Sequence, residues 1–148
     1  MPLQIVIDTN VCLDLFAFRD PRWAALMTAL KSGDVKASTR NDCRDEWLAV
    51  LRYPHLPVTE ENRGAIVASF DQFIAVREFP IRPIRLPVCT DKDDQKFLEH
   101  CRDSESEVLI SKDKALLKLA RKTRALGLFA IETPEQFLKR IVANPQAL

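Results

Sequence analysis

A chain of 148 residues with 22 basic and 21 acidic side chains, 47% hydrophobic residues and a net charge of +1 has the composition of one folded domain with a sizeable core. That balance excludes a global attraction to polyanions, so any nucleic-acid surface must be a local patch. No window approaches the ~20 apolar residues of a membrane span, and the N-terminus lacks the basic and long apolar regions of a signal peptide; the expected location is the cytoplasm, with no membrane partner.

The first element is the run Ile5-Val6-Ile7. It is short, β-branched and apolar on both faces, which predicts a buried strand of a parallel sheet. It ends on Asp8, followed by Thr9 and Asn10. A short helix is expected over residues 11–18, capped by Asp8 or Thr9. Asp20-Pro21 then opens a helix through Trp23, Leu26, Met27 and Leu30, stopped by Gly33. Residues 35–38 read as a second strand. Thr39 or Asn41 opens a helix carrying Cys43, Trp47, Val50 and Leu51, which must end before Pro54.

From Thr59 a longer helix is predicted on the apolar positions Ile66, Val67, Phe70, Phe73, Ile74 and Val76. The stretch EFPIRPIRLPVC alternates prolines with apolar residues, which excludes a central strand and reads as a connection with a brief edge strand near Val88. Thr90 caps a helix over 91–102 with the stripe Phe97, Leu98 and Cys101. Residues 108–110 predict another buried strand, 114–123 a basic helix, and 128–131 a strand after Gly127. Thr133-Pro134-Glu135-Gln136 is a capping box for the last helix, which carries Phe137, Leu138 and Ile141.

Short apolar strands alternating with helices predict an α/β fold. The expectation is a single domain over 1–148, with its core in 3–142 and a frayed tail over 143–148. Its central sheet is mainly parallel, of four to five short strands, with helices on both faces.

Four carboxylates occupy awkward positions. Asp8 and Asp113 each follow a predicted strand, where open α/β sheets place their sites. Asp94 precedes Phe97, Leu98 and Cys101 by three, four and seven residues, which aims it at the core-facing stripe. Asp91 shares that face. Glu46 borders the buried face of its own helix. Each also has a plainer reading: a helix cap for Asp8, a favourable helix-dipole charge for Asp91 and Asp94, and an ion-pair partner for Glu46. Taken together the acids are costly, because two carboxylates ~5 Å apart repel by roughly 3 kcal/mol at an effective dielectric of ~20. A divalent cation relieves that repulsion, and an all-oxygen ligand set suits Mg²⁺ or Mn²⁺. Mg²⁺ commonly binds a few carboxylates together with substrate phosphate, which points to phosphoester chemistry.

The four cysteines, Cys12, Cys43, Cys89 and Cys101, form no C-x-x-C pair and are expected as reduced core residues. The two histidines, His55 and His100, read as ordinary surface or partly buried residues rather than ligands.

The motifs V-I-D-T-N-V, E-W-L-A-V-L-R-Y-P-H, D-K-D-D-Q-K-F-L-E-H-C and L-I-S-K-D-K-A-L-L, in this order and spacing, resemble the PIN domain. They are most similar to the branch described as toxins of bacterial toxin–antitoxin pairs. The resemblance implies a metal-dependent ribonuclease with Mg²⁺ or Mn²⁺ as cofactor and a 5′-phosphate product. It implies catalytic acids at Asp8, Glu46, Asp94 and Asp113, with Asp8, Asp94 and Asp113 on the metal. Asn10, Ser111 and Asp91 fall where supporting groups are expected. Ser111-Lys112-Asp113 departs from the usual Thr-Gly-Asp or Thr-Arg-Asp but keeps the hydroxyl. Implied partners are an RNA substrate, a cognate antitoxin and a second copy of the chain.

Arg19, Arg40, Lys112 and Lys114 are the candidate contacts to the RNA backbone, with the Lys114–Lys118–Arg121–Lys122 cluster as a further patch. Two other functions stand beside this one. A catalytically silent RNA-binding or protein-interaction module would keep the fold without turnover. An aspartyl-phosphate phosphatase or receiver would use Asp8 as acceptor, but Asn10 breaks the D-x-D of the former.

Overall fold

In the computed structural model, which describes residues 2–143, β1 (Leu3–Ile7) leads into α1 (Thr9–Cys12), which continues as a π-helical turn over Leu13–Ala17. A 3-10 turn, Pro21–Trp23, opens α2 (Ala24–Ser32). Then come β2 (Val35–Thr39), α3 (Asn41–Val50), α4 (Glu60–Phe73) and β3 (Ile74–Val76). A long extended strap reaches a 3-10 turn, Lys92–Asp94, and α5 (Gln95–Asp103). The chain finishes with β4 (Val108–Ile110), α6 (Lys114–Leu117), α7 (Ala120–Ala125), β5 (Ala130–Glu132) and α8 (Pro134–Ala143).

All strand pairs are parallel and the sheet order is β3-β2-β1-β4-β5. The chain winds outward from β1 to β3, then crosses back to start again at β4. β1 and β4 therefore flank the point where the winding direction reverses, and open α/β sheets bind ligands beyond the strand ends at that point.

Alternation along the strands explains the layers. Ile5, Ile7, Val108 and Ile110 face one core with Leu26, Leu30, Trp47, Phe70 and Phe137 from α2, α3, α4 and α8. Val6 and Leu109 face the other, with Phe97, Leu98 and Cys101 of α5 and Leu116 of α6. Trp47 stacks on Phe70 at 4.9 Å between centroids, and Phe16 meets Phe70 edge-on at 5.8 Å. Such pairs add about 0.5–1.5 kcal/mol beyond their buried area. The four cysteines are all reduced and buried, as expected.

Several local expectations are corrected. Ile74–Val76 leaves the α4 helix and forms the edge strand β3, because its backbone pairs with Ala37–Thr39. No strand forms near Val88, which is 81% exposed. The first helix starts at Thr9 rather than residue 11, since Asp8 is its N-cap. The basic helix predicted over 114–123 is two short helices, and the last strand starts two residues later than predicted and ends one later. His100, expected at the surface or partly buried, is fully buried, with its Nε2 2.9 Å from Ser38 Oγ. Thr133 and Gln136 do form the capping box: Thr133 N–H donates to Gln136 Oε1 at 3.0 Å and Gln136 N–H to Thr133 Oγ1 at 3.1 Å. The tail expectation for residues past 143 lies outside the described residues. No helix among the described residues is long and apolar enough to cross a membrane.

Candidate functional site

Asp8 sits where β1 gives way to α1. Its N–H donates to Ile110 O at 2.9 Å, which ties it to the end of β4. Its side chain is only 4% exposed. Oδ1 accepts from Thr9 N–H at 2.7 Å and Oδ2 from Ser111 Oγ at 2.6 Å. Burial, opposed by these two donors and reinforced by the charges of Glu46 and Asp113, moves its pKa from 3.8 up to about 6.

Ser111 is fully buried at the end of β4, with its N–H on Glu132 O. While its hydroxyl serves Asp8, it also accepts the Asp113 N–H at 2.9 Å. Asp113 caps α6, Oδ1 accepting from Ala115 N–H at 2.8 Å. Asn10 Oδ1 accepts from Lys112 N–H at 3.4 Å, a long contact that reaches the same loop.

Asp91 and Asp94 arrive from the far side of the sheet. The strap before them is fastened by Gln95, whose Oε1 accepts from Cys89 N–H at 2.7 Å while its Nε2 donates to Pro87 O. Arg102 also donates to Ile84 O. Asp91 caps the 3-10 turn through Asp93 N–H. Asp94 closes that turn instead of lying on a regular helix face as expected, yet it does point inward and is 7% exposed. Its Oδ2 is buried without a hydrogen-bond partner. Burial first, then the charges of Asp8, Asp113 and Asp91, hold its carboxyl well above the usual carboxylate range.

Carboxylate oxygens of Asp91, Asp94 and Asp113 lie within 4.8 Å of one another. Two full charges at that separation repel by roughly 3 kcal/mol at an effective dielectric of about 20. Three converging carboxylates, one with a lone buried oxygen, suit a hard divalent cation. Asp91, expected only as support, is exposed and belongs to this converging group. Asp8, expected as a metal ligand, lies close enough to Asp94 and Asp113 for their charges to act on one another, and each of its oxygens accepts one protein donor.

Glu46 projects from α3 beside the buried Trp47 and keeps a quarter of its side chain exposed. Thr9 Oγ1 donates to its Oε2, and Lys96 Nζ donates to its Oε1 at 3.0 Å. Thr9 and Lys96 were not foreseen. Their signals were weak: a hydroxyl directly after Asp8, and a lysine two residues past the acidic run Asp91, Asp93 and Asp94, which already encloses Lys92.

Among the expected RNA contacts, Arg40 is bound to Asp42 and Glu99 at 2.7 and 2.9 Å. Lys112 Nζ is 2.6 Å from the buried Asp14. Both cations already have carboxylate partners. Arg19 is exposed in a left-handed conformation, beside a cleft that contains none of the five acids. Lys114 is exposed at the start of α6, and no ion pair holds it among the described residues.

A five-stranded parallel sheet with carboxylates gathered at its topological switch defines an α/β domain with an acidic site beyond its strand ends. The PIN domain family profile matches residues 4–115, which take in all five acids, and the chain belongs to that family. PIN domains are in general nucleases, and they typically use divalent metals. Comparison with curated proteins returned no match.

Proposed function

We propose that this protein is a divalent-metal-dependent endoribonuclease that hydrolyses RNA phosphodiester bonds, acting as the toxin of a toxin–antitoxin pair in the cytoplasm. The carrying observation is the convergence of Asp91, Asp94 and Asp113, with Asp94 Oδ2 buried and unpartnered. Mg²⁺ or Mn²⁺ suits that oxygen set. Asp91, Asp94 and Asp113 would hold the ion, which supplies Lewis-acid stabilisation of charge developing on the phosphate.

The chain's own residues do the rest. Ser111 and Thr9 lock the Asp8 carboxylate beside Asp94 and Asp113, so the acidic wall keeps its shape when a phosphate enters. Thr9 fixes Glu46 through its hydroxyl, leaving that carboxylate to orient the attacking water. Asn10 steadies the Lys112 backbone beside Asp113. The RNA backbone is held by Lys114 and by Lys118, Arg121 and Lys122, exposed along the two helices that follow Asp113. No acid occurs between residues 114 and 131, so this face is locally basic in a nearly neutral chain. An antitoxin covering the acidic opening and a second copy of the chain remain expected partners.

The test is incubation with a mixed RNA pool in Mg²⁺, in Mn²⁺ and in EDTA, beside Asp8→Asn and Asp94→Asn. Cleavage that needs metal and is lost in both variants supports the reading. Metal binding without cleavage on any RNA favours the silent binding module, and cleavage undiminished by EDTA refutes the metal mechanism.

A further inference from the structure

The five acids divide into two groups that differ in how their oxygens are used. Asp91, Asp94 and Asp113 converge, and Asp94 Oδ2 has no partner. Asp8 and Glu46 instead have all four oxygens engaged by the chain: Thr9 N–H and Ser111 Oγ on Asp8, Thr9 Oγ1 and Lys96 Nζ on Glu46. Each of these oxygens keeps a second lone pair, but a second divalent ion on the Glu46 side would meet the Lys96 ammonium, 3.0 Å from Glu46 Oε1.

Lys96 is held there rather than sampling solvent. Its side chain is 18% exposed, and its Nζ donates to the Asp93 carbonyl as well as to Glu46. The ammonium also lies 5.4 Å from the centre of the Phe97 ring. A lysine gives up substantial rotamer freedom to be fixed this way. Turned inward, it brings a positive charge to Glu46 from the first turn of α5, two residues after Asp94. An ammonium is a compact cation with three donors, able to neutralise a carboxylate where an ion would otherwise sit.

We propose that the site takes a single divalent cation, on Asp91, Asp94 and Asp113, and that Lys96 Nζ occupies the place of a second one on Glu46. Lys96 is then a positioning residue that sets metal stoichiometry. The inference rests on the acidic opening being the metal site of the proposed nuclease.

The experiment is a Mn²⁺ titration of the full chain, read by calorimetry and by electron paramagnetic resonance of the free ion. Wild type is expected to bind one Mn²⁺. Lys96→Met is expected to bind two, Lys96→Arg one, and the double variant Lys96→Met with Glu46→Gln one again. Retention of the first ion in Lys96→Met reports that the fold is intact, so loss of charge is separated from unfolding. Two ions in wild type with metal-dependent cleavage intact would overturn this inference alone. One ion in a folded Lys96→Met would overturn it as well. Absence of Mn²⁺ binding in wild type would remove the metal site, and the inference with it.

Discussion

Ser111 Oγ donates to Asp8 Oδ2 at 2.6 Å and accepts the Asp113 N–H at 2.9 Å, so one hydroxyl joins the ends of β1 and β4. Both partners lose their hydrogen bond in Ser111→Ala, and a buried carboxylate is left short of a donor. The expected loss is about 1–3 kcal/mol at neutral pH, read from urea unfolding. A variant as stable as wild type would mean that water replaces the hydroxyl without cost.

Asp8 and His100 titrate in overlapping windows with opposite signs. Burial raises Asp8 from 3.8 to about 6, so between these values the native chain keeps a proton that the unfolded chain has released. Its contribution to stability is full below 3.8 and is lost as pH rises through about 6. Burial, helped by the Arg40 guanidinium, lowers His100 from 6.5 to about 4. That contribution is full above 6.5 and is lost as pH falls through about 4. The metal-free protein should therefore show a muted net slope from these two groups. Asp94, also raised by burial, adds a falling component common to both proteins, so Asp8→Asn should shift the slope of unfolding free energy against pH upward relative to wild type across the window. Parallel wild-type and variant profiles would contradict the buried position of Asp8.

Metal should stabilise the fold as well as enable cleavage. Mn²⁺ at about a hundred times its dissociation constant adds about 2.7 kcal/mol to the native state. For a chain of this size each kcal/mol raises the melting midpoint by about 2–4 °C. EDTA should reverse the rise, and Asp94→Asn or Asp113→Asn should abolish it. A midpoint that ignores Mn²⁺ in wild type would count against the carboxylate cluster as a cation site.

The exposed cations of α6 and α7 should act on RNA and not on stability. On a cleavage-dead background, replacing Lys114, Lys118 or Arg121 by Ala should weaken RNA binding. Each lost phosphate contact should flatten the dependence of log affinity on log salt by about 0.7 for single strands. Lys112→Ala should behave differently, because among the described residues it leaves the buried Asp14 carboxylate with the Trp23 indole N–H as its remaining donor. Its main effect should be a lower urea midpoint. Equal salt slopes for all these variants would move the RNA path off this face.

The chain order of strands and helices was legible because local patterns report local backbone. Ile5-Val6-Ile7 and Val108-Leu109-Ile110 announced buried strands, and Thr133 with Gln136 announced a helix start. The acids at the two strand ends stood out because a charge ending an apolar run needs a reason. What misled was the same locality. Ile74 and Val76 continue the apolar spacing of α4, and only pairing with Ala37–Thr39 makes them a strand. The sequence by itself determined the family, the parallel α/β plan and the presence of an acid-rich face. Tertiary structure alone decided how those acids sort: Asp91 joins Asp94 and Asp113, Ser111 holds Asp8 from the end of β4, and Lys96 reaches Glu46 across fifty positions of chain. The physical reason is that distances between residues on separate elements follow from sheet order and packing. No spacing along the chain encodes them.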